Sequence, residues 1–184
     1  MKKGLIIILF ALFAMSNVKA QEASGVIKVN PIGFIFGVFN GTYEKALNEK
    51  NSIAIGASYF NWSNLNVSGF GASAEYRFYF SNNSQAPHGM FAAPILDLGS
   101  LSYSYDKKID IDPNTGHVST SSAGTDSVFS IGGGLKAGHQ WIWDSGVALD
   151  LYFGYGYRSA KFEHEDYSGG YPIVGLAIGY VLGK

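Results

Sequence analysis

The chain has 184 residues, no cysteine and a formal net charge of −1. Glycine contributes 24 residues and aromatics 15%, while charged residues reach only 15%, against about 25% in an average soluble domain. This excludes a highly charged disordered chain, a glycine-poor helical bundle and every device that needs a thiol, from a disulfide scaffold to a zinc–thiolate site or a lipid-modified N-terminal cysteine.

The first predicted element is an address. Lys2 and Lys3 precede an unbroken apolar run over 5–15, and Val18-Lys19-Ala20 puts small residues at the −3 and −1 positions of a cleavage site. This is the pattern of a secretory signal peptide over 1–20, and its apolar run is shorter than the about 20 residues that a bilayer-spanning helix needs. The domain that remains, 21–184, carries ten basic against fourteen acidic residues. That balance speaks against nucleic acid as a partner and against a polybasic hold on a membrane surface.

From Gln21 onward apolar residues alternate with small or polar ones, which is the period of a β-strand. Eight segments carry the pattern: 26–34, 38–47, 52–60, 67–80, 90–105, 127–141, 146–160 and 171–182. In the fourth, Phe70, Ala72, Ala74, Tyr76, Phe78 and Phe80 share one face, and Gly69, Gly71, Ser73, Glu75, Arg77 and Tyr79 share the other. Pro31 demotes the first segment, because proline cannot donate to a ladder. The connectors at 48–51 and 144–145 are short turns; those at 81–88, 106–126 and 161–170 are longer and polar. The fold class that follows is all-β, an eight-stranded antiparallel up-and-down barrel.

Alternation alone leaves two barrels open. A soluble, lipocalin-like barrel buries its apolar face, and a membrane barrel turns it outward. Charge placement favours the second. Of the nine charges in the strands, eight fall on the small-residue face: Lys28, Glu44, Glu75, Arg77, Asp97, Lys136, Asp150 and Arg158. Lys45 alone falls on the apolar face, near a strand end, where its stem lets the ammonium reach an interface. Gly, Ala and Ser accompany the charges and suit a narrow interior. The other face carries Tyr43, Tyr59, Tyr76, Phe78, Phe80, Trp141, Tyr155, Tyr157 and Tyr180, placed for two aromatic girdles. The eight inward charges sum to zero, so the expectation is a paired network that fills the lumen. A gate or proton path is the alternative use of the same residues.

The sequences Lys28-Val29-Asn30-Pro31, Gly37-Val38-Phe39-Asn40 and Tyr43-Glu44-Lys45-Ala46-Leu47 resemble the opening of small outer-membrane β-barrel families of unknown function from Gram-negative bacteria. Glu75-Tyr76-Arg77-Phe78-Tyr79-Phe80, followed by Ala86-Pro87-His88-Gly89, resembles their fourth strand and the turn after it. The resemblance implies an eight-stranded barrel broadly similar to the OmpX and OmpA transmembrane domains, and it implies no defined activity. Such barrels often end in Phe; this chain ends Tyr180-Val181-Leu182-Gly183-Lys184.

The sequence offers no residue set for a catalytic, cofactor-binding or metal-binding role. His164, Asp166 and Ser168 could supply a palmitoyltransferase-like trio, but residues of these types in a loop are ordinarily just solvated. His139 is expected on the lipid face with no outward hydroxyl or acid beside it, and His88 and His117 fall in connectors. Asp110-Ile111-Asp112-Pro113-Asn114-Thr115-Gly116 begins like a calcium loop. Its glycine comes one place late, and Ser121 stands where the bidentate Glu belongs. No phosphate-cradling loop, zincin helix or nucleophile elbow is present.

In outer-membrane barrels the short turns face the periplasm and the longer loops face outward. Loops 106–126 and 161–170 are therefore expected outside, and both are acidic. The expected function is a monomeric outer-membrane barrel with a structural or surface-interaction role. It would contact membrane lipid and lipopolysaccharide and offer its outer loops to a partner. A narrow pore or small-ligand conduit is the alternative, and a lipid A-modifying enzyme a third.

Overall fold

The structure is a computed structural model that describes residues 25–80, 85–105, 108–111, 118–121, 124–161 and 166–182. The signal segment lies outside the described residues. The elements are β1 (Gly25–Val29), α1 (Pro31–Ile35), β2 (Val38–Ala46), β3 (Asn51–Trp62), a 3-10 turn (Ser63–Leu65), β4 (Val67–Tyr79), β5 (Gly89–Tyr105), β6 (Lys108–Ile111), β7 (Val118–Ser121), β8 (Gly124–Ile142), β9 (Val147–Lys161) and β10 (Asp166–Leu182). Eight of them form one closed barrel in the order β1-β10-β9-β8-β5-β4-β3-β2, with every neighbouring pair antiparallel. β10 returns to β1 through Gly25↔Leu182 to Val29↔Ile178, so no strand is left at an edge over that stretch. β6 and β7 pair only with each other, inside the β5–β8 connection.

The register sets the shape. Leu149 faces Ile178, then Val29, Gly41, Ala57, Ala72, Leu98 and Ile131 in turn, and the circuit returns to β9 at Ser159, ten residues above its start. With a rise of about 3.3 Å per residue and strands about 4.8 Å apart, that stagger gives a strand tilt of about 41°. At that tilt the outward residues of β9 from Val147 to Tyr157 cover a height of about 25 Å, which is the height of a lipid-facing apolar band.

Three expectations need correction. The first segment is a strand only to Val29. Asn30 then accepts a hydrogen bond from the Gly33 amide at 3.0 Å and caps α1, with Pro31 in the first turn, where a missing N–H costs nothing. Connector 161–170 is mostly ladder: β9 reaches Lys161, β10 starts at Asp166, and Asp166 faces Lys161. Connector 106–126 likewise contains β6, β7 and the start of β8. The reason is common to both loops. A ladder is held by backbone hydrogen bonds and continues past the apolar belt, where the two faces no longer differ in polarity and the alternation signal fades. Ser102 and Ser104 on β5 meet Ser127 and Thr125 on β8 through hydroxyl pairs at 2.9 and 3.1 Å in this zone.

Large inward side chains face glycines directly across the strands. Phe91 faces Gly138, Tyr152 faces Gly175 and Tyr171 faces Gly156. A Cβ on Gly138 would lie 2.8 Å from Phe91 Cζ, and one on Gly156 2.7 Å from Tyr171 Cζ. An eight-stranded interior has room for one large side chain per cross-strand pair, and the glycines yield that room.

The wall changes character at one place. β1 stops at Val29, whereas β10 continues towards the loops from Ala177 to Asp166 paired with β9 only. Each strand step round the barrel climbs about 3 Å at this tilt, so Val29 ends about 11 Å above Val147, close to mid-belt. Above it α1 occupies the gap and packs against both β10 and β2. Ile32, Phe34, Ile35 and Phe36 are exposed there, and Phe34 meets the outward Phe39 edge to face with ring centroids 5.3 Å apart.

Candidate functional site

The strand period places alternate side chains in the lumen, and the register decides which of them meet. Six of the eight charges singled out in the sequence come together in the half of the barrel nearest the chain termini. Lys28 on β1 donates to Glu44 on β2, to Gln140 Oε1 at 2.6 Å and to Asp150 Oδ2 at 2.9 Å. Arg77 on β4 reaches Asp150 Oδ2 at 2.8 Å, Glu44 Oε2 at 3.1 Å and Glu75 Oε2 at 2.9 Å. Lys136 on β8 pairs with Glu75. Three cations thus meet three anions, and Lys28, Glu44, Arg77, Lys136 and Asp150 are each at most 5% exposed. Asp150 takes Lys28 and Arg77 on Oδ2, and its Oδ1 is buried without a hydrogen-bond partner among the described residues.

Neutral side chains complete the network, and the charge pattern alone did not single them out. Ser52 and Tyr79 donate their hydroxyls to Glu44 Oε1, the latter at 2.6 Å. Gln140 accepts from Lys28 and Arg77 and donates to the Pro87 carbonyl, tying the network to the β4–β5 turn. The Arg77 guanidinium lies 4.3 Å from the Phe91 ring centroid, and the Lys136 ammonium lies 4.2 Å from that of Tyr152. The signal that could have found these residues is parity: Tyr79 stands two after Arg77, and Gln140 four after Lys136, on the same face. Below the network, Val26, Ala148 and Val181 form a buried apolar layer with Ile142 against it.

The other two charges stand apart. Asp97 on β5 and Arg158 on β9 face the lumen at the level of Gly132, which pairs with both. Tyr171 on β10 lies between them. Its hydroxyl donates to Asp97 Oδ2 at 2.7 Å, and the Arg158 guanidinium lies 5.2 Å from its ring centroid. Neither Asp97 nor Arg158 makes an ion pair among the described residues, and Arg158 Nε is buried without a hydrogen-bond partner. A cavity of about 460 Å³ occupies this level, floored by Lys28, Glu75, Arg77 and Lys136 and walled towards the loops by Val38, Phe60, Trp62 and Ile173.

The remaining candidates do not assemble. Of the trio His164, Asp166 and Ser168, His164 lies outside the described residues, and Asp166 and Ser168 stand at the start of β10. His139 lies on the outer face beside Trp141, with ring centroids 4.1 Å apart. Of the calcium-like segment 110–116, residues 112–116 lie outside the described residues, and Asp110 lies on β6. Among the described residues no cluster of three His, Cys, Asp or Glu could hold a metal ion.

Fold and interior together define a small closed antiparallel barrel with a charged, internally neutral lumen and an apolar outer wall. The chain belongs to the DUF3575 family, described as a protein of unknown function, whose model matches residues 5–172. No curated protein matches it. Among solved structures it is similar to the N-terminal β-barrel domain of Pseudomonas aeruginosa OprF, at 13% identity over 86% of this chain and 97% of that one, with a TM-score of 0.41. It is also similar to the Yersinia pestis outer membrane protein Ail, solved in a phospholipid bilayer nanodisc, at 13% identity over 88% and 100%, with a TM-score of 0.42.

Proposed function

We propose that this chain is an outer-membrane barrel with a structural or surface-interaction role, its lumen closed to conduction and its acidic loops turned to the outside. The observation that carries the reading is the outer wall. From Val147 to Tyr157 on β9 and from Tyr180 to Val174 on β10 the outward side chains are Val, Leu, Phe, Tyr and Ile, largely exposed and without a charge. A soluble protein rarely leaves so much contiguous apolar surface to water. Lys45, the β2 charge on that face, lies one residue from the end of β2, where a charge costs about 0–1 kcal/mol instead of about 2–4 at the midplane.

Both termini of the barrel lie at the end of the short β2–β3 and β8–β9 turns, so by the rule that short turns face the periplasm that end is assigned inward. The β5–β8 and β9–β10 connections then face outward, where lipopolysaccharide or a surface partner would meet them. No catalytic step is assigned. The test is folding into detergent or lipid followed by electrophoresis with and without boiling. A heat-dependent mobility shift is expected. A chain that stays soluble in plain buffer and runs identically either way would overturn the membrane placement.

A further inference from the structure

We propose that the upper lumen binds the headgroup of a single-chain zwitterionic amphiphile, whose acyl chain leaves between β10 and β2 past α1. This rests on the membrane placement above and adds a ligand to it.

The first observation is the gap in the wall. Beyond Ile178, β10 has no strand partner on the β1 side, and among the described residues no backbone hydrogen bond joins it to α1. By the tilt already derived, the stretch from Ala177 to Tyr171 lies in the upper half of the belt. Unpaired backbone is not tolerated against lipid unless it borders a cavity or is covered by protein. Here both conditions meet: α1 covers it with apolar side chains, and behind it lies the 460 Å³ cavity, which is lined by Val38 and Asn40 on one side of the gap and by Ile173 and Ala177 on the other. The lumen and the outer leaflet are thus separated at this point by one five-residue helix, while on either side of it β9–β10 and β2–β3 are continuous ladder.

The second observation is the chemistry of the cavity. The floor network neutralises itself, three cations against three anions. The level above presents Arg158 and Asp97 on either side of Tyr171, each without an ionic partner among the described residues. An anionic ligand would gain Arg158 and be repelled by Asp97; a cationic ligand would meet the reverse. A headgroup with a phosphate and an ammonium a few bonds apart satisfies both, with the phosphate on Arg158 and the ammonium on Asp97. The cavity volume falls within the range of about 300–1,000 Å³ typical of small-molecule sites, enough for a headgroup but not for a two-chain lipid whole. The apolar gap is where a single chain would pass.

The experiment uses the folded chain in nanodiscs of phosphatidylglycerol, whose headgroup lacks an ammonium, titrated with lysophosphatidylethanolamine carrying a nitroxide near the end of its acyl chain. Amide resonances of Asp97, Arg158 and Tyr171 should shift saturably. The nitroxide should broaden Val38, Ile173 and α1 well before Leu96 on the opposite wall. Arg158→Gln should weaken binding at least tenfold and Arg158→Lys less. Asp97→Asn should erase the preference for lysophosphatidylethanolamine over dodecanoate. Broadening that is uniform round the barrel, or shifts that Arg158→Gln leaves unchanged, would overturn the site. The heat-dependent gel shift of the same samples separates this from failure of the membrane placement: a chain that inserts and broadens uniformly lacks the site, whereas one that never inserts is no membrane barrel.

Discussion

At the residue scale, the lumen network is a set of groups none of which can be removed alone. Arg77 touches Glu44, Glu75 and Asp150, all within 3.1 Å. Arg77→Ala leaves those buried carboxylates with only Lys28 and Lys136, and breaking a buried pair from one side costs about 3–5 kcal/mol. Denaturant titration of the barrel in lipid vesicles should show a loss of that size. A change within experimental error would mean that water solvates the network. The glycine pairs make a second claim. Gly156→Val sets a side chain against the Tyr171 ring, and overpacking of this kind costs about 1–3 kcal/mol. Most of the loss should vanish when Tyr171→Ala is added, since the two residues then no longer compete for one space. Purely additive losses would place the strain in the backbone of β9.

At the element scale, what distinguishes the strands is what each face meets. β9 carries Val147 at one edge of the belt and Phe153 near its middle, both outward. Under the proposed placement Phe153→Arg should cost about 2–4 kcal/mol and Val147→Arg only about 0–1. Equal costs at the two depths would argue that no bilayer surrounds the strand. The pattern of strand existence was legible in the sequence, because one residue in two is sorted by polarity over most of the belt. Strand ends were not. The extension of β10 back to Asp166 and of β8 to Gly124 runs through Ser, Thr, Gly and Asp, whose ladder bonds leave no trace in polarity. The helix after Val29 was half legible. Pro31 demotes the strand, and Asn30-Pro31 is a ready helix start, but the apolar Ile32, Phe34 and Phe36 continue a strand-like alternation and mask it.

At the scale of the whole molecule, the question is whether the barrel conducts. The network draws side chains from β1, β2, β3, β4, β8 and β9, adds Phe91 from β5, and sits on the apolar layer of Val26, Ala148 and Val181. In planar bilayers the chain should show no steady conductance. Resolved, long-lived open steps from the unsubstituted chain would replace the closed-lumen reading with the pore.

The sequence by itself determined the class of molecule: an all-β barrel, with Lys28, Glu44, Glu75, Arg77, Asp97, Lys136, Asp150 and Arg158 on one face and large apolar residues on the other. Periodicity carries this because a strand turns every second residue the same way whatever its neighbours are. Only the tertiary structure decided that six of those charges join while Asp97 and Arg158 stand apart around Tyr171, and that α1 takes the place of upper β1. Those outcomes depend on register and stagger between strands distant in the chain. A stagger of ten residues round the barrel brings Lys28 to Asp150 and Gly132 between Asp97 and Arg158, and no local pattern encodes that distance.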